Sequence, residues 1–218
     1  LWLQGFRSTI ERHNDGIARM AKASKTPFAM LNYAGHGDHP VALDGATRKQ
    51  QLAEVIGVYD ELTKLGFKKI IVIGTSFGGY MAALLAVQRP IETLVLRAAA
   101  NYPEEEFDTA YKDTAIGRKD TAHHLYRQSI SDTYTNHAVE GVRQFNGYAY
   151  IIEHEKDEVI NPAILKSYFN AAKHGSYIVI PNLKHSPMAM THPQEYFALI
   201  ESWMVAIVEV SRRNPAVL

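Results

Sequence analysis

The chain has 218 residues, enough for one domain with a sizeable core, and its 23 Lys plus Arg match its 23 Asp plus Glu. That balance leaves no basic field for nucleic acid or anionic lipid, and zero cysteines exclude a disulfide framework and thiolate chemistry while fitting a reducing, cytoplasmic location. No apolar run approaches the ~20 residues of a membrane span, and a start at Leu1 rather than methionine leaves open a missing upstream or targeting segment.

LWLQ (1–4) reads as a strand. In the QGFRST loop behind it, Gly5 permits close approach and the Phe6 N–H would point inward. A helical pattern over residues 8–24 leads to a second strand, FAMLNY (28–33), and to the turn NYAGHG (32–37). His36 and His39 in HGDH have no further histidines at ligand spacing, so no metal is expected. The next helix, 47–65, carries the clearest apolar stripe of the chain: Leu52, Val55, Ile56, Tyr59, Leu62 and Leu65, closed by Gly66.

KIIVIG (69–74) is a β-branched strand buried on both faces, and a helix follows from Phe77 to about residue 88. Ser76 therefore sits on a strand-to-helix turn of almost no length, flanked as G-x-S-x-G by Gly74 and Gly78. Such a turn brings backbones together and leaves no room for a Cβ on either side. It strains the serine so that Oγ stands above the sheet edge, with the free N–H groups of the new helix near it. A phosphate loop would need a lysine after the glycines, and a dinucleotide loop would need G-x-G-x-x-G; neither is present. The arrangement suits a nucleophile.

TLVLR (93–97) is the next strand, and 98–147 then interrupts the alternation. This interval is polar, rich in tyrosine (Tyr102, Tyr111, Tyr126, Tyr134) and far longer than one crossover helix needs, which marks it as a lid or binding insert. YAYIIE (148–153) and SYIVIP (176–181) are late strands with a helix at 162–173 between them, and a last helix covers 193–211. Repeated β-α-β units mean a mostly parallel sheet with helices on both faces, and active groups outside the strands' carboxyl ends.

A serine needs a general base, and the base needs a carboxylate. HEKDEVINP offers Asp157 just past one strand, in competition with Glu155 and Glu158. Asp157 is favoured because a short side chain at this bend can reach a neighbouring loop while held by backbone N–H groups. NLKHSPM offers His185, alone among ten histidines in directly following a late apolar strand. His13, His123, His124, His137 and His174 fall on helical or insert segments and are expected in solvent, as is His192. Oxyanion donors would be the N–H groups of Phe77 and Phe6.

Taken together, these segments resemble the α/β-hydrolase family. LQGF is similar to its H-G-F oxyanion loop and NYAGHG to its D-x-x-G-H-G turn. GTSFGG is similar to its nucleophile elbow, HEKDEV to its acid loop G-x-x-D-x-V, and KHSP to its histidine loop. Gln4, Asn32 and His154 depart from the family's usual histidine, aspartate and glycine. The resemblance implies the α/β-hydrolase fold, with the first hairpin absent and the visible strands third to eighth. It implies one domain over 1–218, with 98–147 a cap between the sixth and seventh family strands.

It also implies a serine hydrolase similar to small carboxylesterases of short acyl or hydroxycinnamoyl esters, working through an acyl-enzyme with Ser76, His185 and Asp157 and no cofactor. The partner implied is a small-molecule ester, and self-association as a homodimer stays open. The elbow also resembles that of prolyl-oligopeptidase-type peptidases, whose propeller this chain has no room for. A thioesterase or small peptidase using the same groups is the alternative, and a non-catalytic ligand-binding homologue a further one.

Overall fold

The structure is a computed structural model and describes residues 1–213. Five strands form one sheet: β1 (Trp2–Leu3), β2 (Ile71–Thr75), β3 (Thr93–Arg97), β4 (Tyr148–His154) and β5 (Gly175–Ile180). They lie side by side in chain order and every pairing is parallel. The helices are α1 (Ile10–Ser24), α2 (Arg48–Lys64), α3 (Phe77–Leu85), α4 (Ala122–Ser129), α5 (His137–Gln144), α6 (Pro162–Ala171) and α7 (Pro193–Arg213).

The strands explain the two-sided burial. Alternate residues point to opposite faces. Val72, Leu94, Leu96 and Ile151 face a core completed by α2, α3, α5 and α6. Trp2, Ile73, Val95, Ile152 and Ile180 face a second core completed by Met20 of α1 and Ile200, Met204 and Ile207 of α7. Because both faces are covered, the strands read as continuous apolar runs rather than alternating ones. No helix among the described residues is long and apolar enough to cross a membrane.

Two sequence expectations need correction. FAMLNY (28–33) is not a strand: it runs beside the short β1 but donates no ladder, and one backbone bond, Trp2 N–H to Ala29 O at 2.8 Å, links the two. The α2 stripe is real at Leu52, Val55 and Tyr59, while Leu65 is 75% exposed, because Gly66 at φ +94° turns the chain away directly after it.

The register brings the strand ends to a common edge. Thr75 pairs with Arg97, Arg97 with Ile152, and His154 with Ile180. The loops that leave this edge carry every candidate group. The interval 98–147 lies between β3 and β4 and contains α4, α5 and short 3₁₀ turns.

Candidate active site

The β2–α3 turn shows why its glycines are needed. Ser76 lies at φ 52°, ψ −117°, a strained region for a residue with a side chain. A Cβ on Gly74 would sit 2.3 Å from the Gly78 carbonyl oxygen, and one on Gly78 would sit 2.0 Å from that of Leu3. Neither backbone can move without opening the sheet. Gly78→Ala is therefore expected to lose more than about 3 kcal/mol of stability, read as a fall in the urea midpoint. An unchanged midpoint would mean that the elbow is looser than it looks. The strained serine is held from both sides: its N–H donates to Arg97 O at 3.0 Å, and its carbonyl accepts from Gly79 and Ala100 N–H at 2.9 and 3.0 Å.

Three sequence-selected side chains meet at the sheet edge. Ser76 Oγ is 3.1 Å from His185 Nε2, and His185 Nδ1 is 2.8 Å from Asp157 Oδ2. The second oxygen of Asp157 accepts from the N–H groups of Val159 and Ile160, both at 2.8 Å. Burial pushes the Asp157 carboxyl up, but the bond and charge of His185 and the two backbone donors outweigh it, and its pKa falls below the ordinary value. The carboxylate is thus ionised and can only accept. His185 Nδ1 must then carry the proton, which leaves Nε2 of a neutral ring free to accept from the serine hydroxyl. Asp157 is 2% exposed at the side chain and His185 18%, so the acid is sealed while the ring edge opens outward.

The competing acids act on the loop backbones. Glu158 accepts from the His185 N–H at 3.2 Å and Glu155 from the Asn182 N–H at 2.7 Å. Among the described residues, the N–H groups of Phe6 and Phe77 make no hydrogen bond. Gly5 lies under the serine, its would-be Cβ 3.5 Å from Ser76 Cβ.

The departures from the family pattern each have a partner. Gln4 is buried, and its Nε2 donates to Leu31 O at 2.5 Å, tying β1 to the segment that would otherwise lack a ladder. Asn32 accepts from the Ile10 N–H at 3.0 Å and donates to Asp38 at 3.0 Å, which fixes the start of α1 against the NYAGHG turn. His36 of that turn is buried and stacks on Phe77, with ring centroids 6.0 Å apart. His39 faces Glu54 at 3.4 Å.

His154, the last residue of β4, joins the end of β3 to the loop that carries His185. Its Nδ1 donates to Lys184 O at 2.8 Å, one residue before His185, and its Nε2 accepts from Arg97 Nη1 at 3.4 Å. Burial, then the Arg97 charge, lowers its pKa to about 3. The folded state thus binds this proton far more weakly than an unfolded histidine, whose pKa is near 6.5. Stability should therefore be complete above pH 6.5 and fall as pH drops from 6.5 towards 3, with a slope of up to ~1.4 kcal/mol per pH unit from this group. Urea midpoints at pH 7 and 5 test this. Burial also lowers His13 and His123 to about 4, so His154→Gln should reduce the difference without removing it, and an unaltered difference would exclude His154 as a source.

Two histidines expected in solvent are not there. His123 is 6% exposed, on the insert. His13 is only partly exposed, with Nε2 2.8 Å from Ser8 Oγ. His123 packs on Tyr102 and His13 beside Trp2, contacts outside their own helices that helical periodicity cannot reveal. The sequence reading also gave no role to Arg97, which is 6% exposed and donates to Thr75 Oγ1 from Nε and Nη2 at 3.3 and 3.2 Å.

A cavity of about 1020 Å³ opens over this edge. Ser76, His185, Gly5 and Phe6 form part of its wall, and the insert contributes Tyr102, Ile116, Lys119, His123 and Arg127. Of the insert's tyrosines, Tyr102 faces this cavity, whereas Tyr126 bonds Tyr134 at 3.1 Å away from it. A separate cavity of about 430 Å³, walled by Leu1, Phe28, Phe67 and Ile70 among others, has no histidine beside it and no such constellation.

The chain has the α/β-hydrolase fold. Est1E from Butyrivibrio proteoclasticus, solved with ferulic acid, superposes with a TM-score of 0.67 at 16% identity, covering 94% of this chain and 87% of that one. The monoacylglycerol lipase of Paleococcus ferrophilus gives 0.66 at 14% identity over 94% and 93% of the two chains. The esterase EaEST from Exiguobacterium antarcticum gives 0.67 at 12% over 95% and 90%. No family model and no curated protein matches the sequence.

Proposed function

We propose that the protein is a serine hydrolase that cleaves carboxylic esters through an acyl-enzyme. One observation carries this reading: Ser76, His185 and Asp157 form an unbroken hydrogen-bond chain on a strained turn at the wall of a large cavity. In the first half-reaction Ser76 Oγ attacks the ester carbonyl while its proton passes to His185 Nε2. Asp157 stabilises the resulting imidazolium without taking its proton. The Phe6 and Phe77 N–H groups receive the oxyanion, each such donor being worth roughly 3–4 kcal/mol in the transition state. The imidazolium then protonates the departing alkoxide, and the acyl group remains on Ser76. Water attacks in the second half-reaction, with His185 again as base, and the acid and free serine are released.

Residues 98–147 are the cap of a single domain in this reading, and they supply one wall of the substrate cavity. The structural neighbours described as esterases and a lipase support an ester substrate. The test is labelling by a fluorophosphonate together with hydrolysis of p-nitrophenyl acetate and butyrate. Labelling of Ser76 and turnover of these esters are expected; a protein that does neither is not a serine esterase.

A further inference from the structure

The cavity over Ser76 is unevenly charged. Arg12, Arg97, Lys119 and Arg127 line it against a single lining carboxylate, Asp120, in a chain whose charges balance overall. Asp120 does not offset them. One of its oxygens accepts from the Ala122 N–H, the first of α4, at 2.9 Å, and its other oxygen faces Arg118 at 3.8 Å. Among the described residues, none of the four lining cations has a carboxylate within 4.0 Å. Two of the four are held in place. Arg97 is anchored by Thr75 and His154 beside the nucleophile, and Arg127 donates from Nη1 to Val159 O at 3.2 Å.

Arg97 is also nearly buried, at 6% exposure. An unpaired guanidinium kept out of water is costly unless something else compensates it. Its hydrogen-bond partners, Thr75 and His154, carry no charge, and the Asp157 carboxylate that favours its charged form acts only from beyond ion-pair distance. Arg127 carries a second cost, since its Nε is buried without a partner, as is Nε2 of His123 one helical turn earlier. Four cations against one carboxylate, in a chain that is neutral overall, describe a site suited to an anion.

We propose that the ester carries a carboxylate on its acyl or alcohol arm, received by Arg97 and Arg127, with Arg12 and Lys119 adding to the attracting field; this rests on the hydrolase reading above. A carboxylate fits better than a phosphate. Phosphates favour free N–H groups at a helix N-terminus, and Asp120 already occupies that of α4. The N–H groups that Arg97 and Arg127 do not spend on Thr75, His154 and Val159 can instead donate to the oxygens of a carboxylate.

Two matched pairs of esters test this: mono-p-nitrophenyl adipate against p-nitrophenyl hexanoate for the acyl arm, and 4-acetoxybenzoate against 4-acetylphenyl acetate for the alcohol arm. At low salt the charged member of at least one pair should be favoured by about tenfold or more in kcat/KM, the size expected of a charge-assisted contact. That ratio should collapse in Arg97→Met and in Arg127→Met; Arg127 lies on the insert, so its variant remains informative if the buried Arg97 variant fails to fold. Turnover of the neutral esters with no charge preference in either pair overturns the inference and leaves the hydrolase reading intact. If no ester is turned over, that reading falls, and calorimetric binding of adipate decides the inference alone. Binding that weakens in Arg127→Met supports it, and no binding overturns it.

Discussion

Ser76→Ala is expected to abolish fluorophosphonate labelling and to lower ester turnover on the order of 10⁶-fold, the loss found when a triad nucleophile is removed. The fold should survive. The side chain's one hydrogen bond is to His185, while the elbow is held by backbone bonds from Ser76 N–H and to its carbonyl, which alanine keeps. Alanine at φ 52° is strained as serine is, so the urea midpoint should move little. Labelling and turnover are read on the same preparation as the midpoint. Labelling that persists at another serine would remove Ser76 from the nucleophile's role.

Asp157→Asn should cost about 10⁴ in kcat with the geometry nearly unchanged. The reason is specific to this loop. One oxygen of Asp157 accepts from two backbone N–H groups, Val159 and Ile160. In the variant the amide oxygen must keep that place, because an NH₂ cannot accept, and so the NH₂ is turned towards His185 Nδ1. A donor there forces the ring proton onto Nε2, and the ring then presents a donor to the serine where an acceptor is needed. Glu158→Gln should be close to silent on kcat, since Glu158 reaches only the His185 backbone N–H. A silent Asp157→Asn beside a crippled Glu158→Gln would reverse the assignment of the acid.

Much of this was legible in sequence because it depends on local backbone chemistry. The glycines around Ser76 are dictated by atoms within a few residues or on the adjoining strand, and the position of Asp157 at a bend by the N–H groups two and three residues on. The strands β2, β3, β4 and β5 showed as apolar runs because a parallel sheet covered on both faces buries both sides of its central strands, completely so in β3. FAMLNY misled for the converse reason: its composition suits a strand, but strandhood is a property of pairing, and the β1 edge beside it is only two residues long.

Sequence by itself determined a parallel sheet with helices on both faces and the loops that carry Ser76, Asp157 and His185, since these rest on periodicity, turn chemistry or spacing along the chain. The α/β-hydrolase fold was implied by the resemblance of its motifs to that family. Only the tertiary structure decided which groups touch. It turned His123 and His13 from expected solvent positions into packed ones, and made His154 the bridge between the Arg97 guanidinium and the carbonyl before His185. It also gathered Arg12, Arg97, Lys119 and Arg127 around one cavity. Those residues are far apart in the chain and none belongs to a pattern of period 2 or 3.6. Charge summed along the sequence is zero, and its concentration at one place arises only when the strand ends and the insert are brought together.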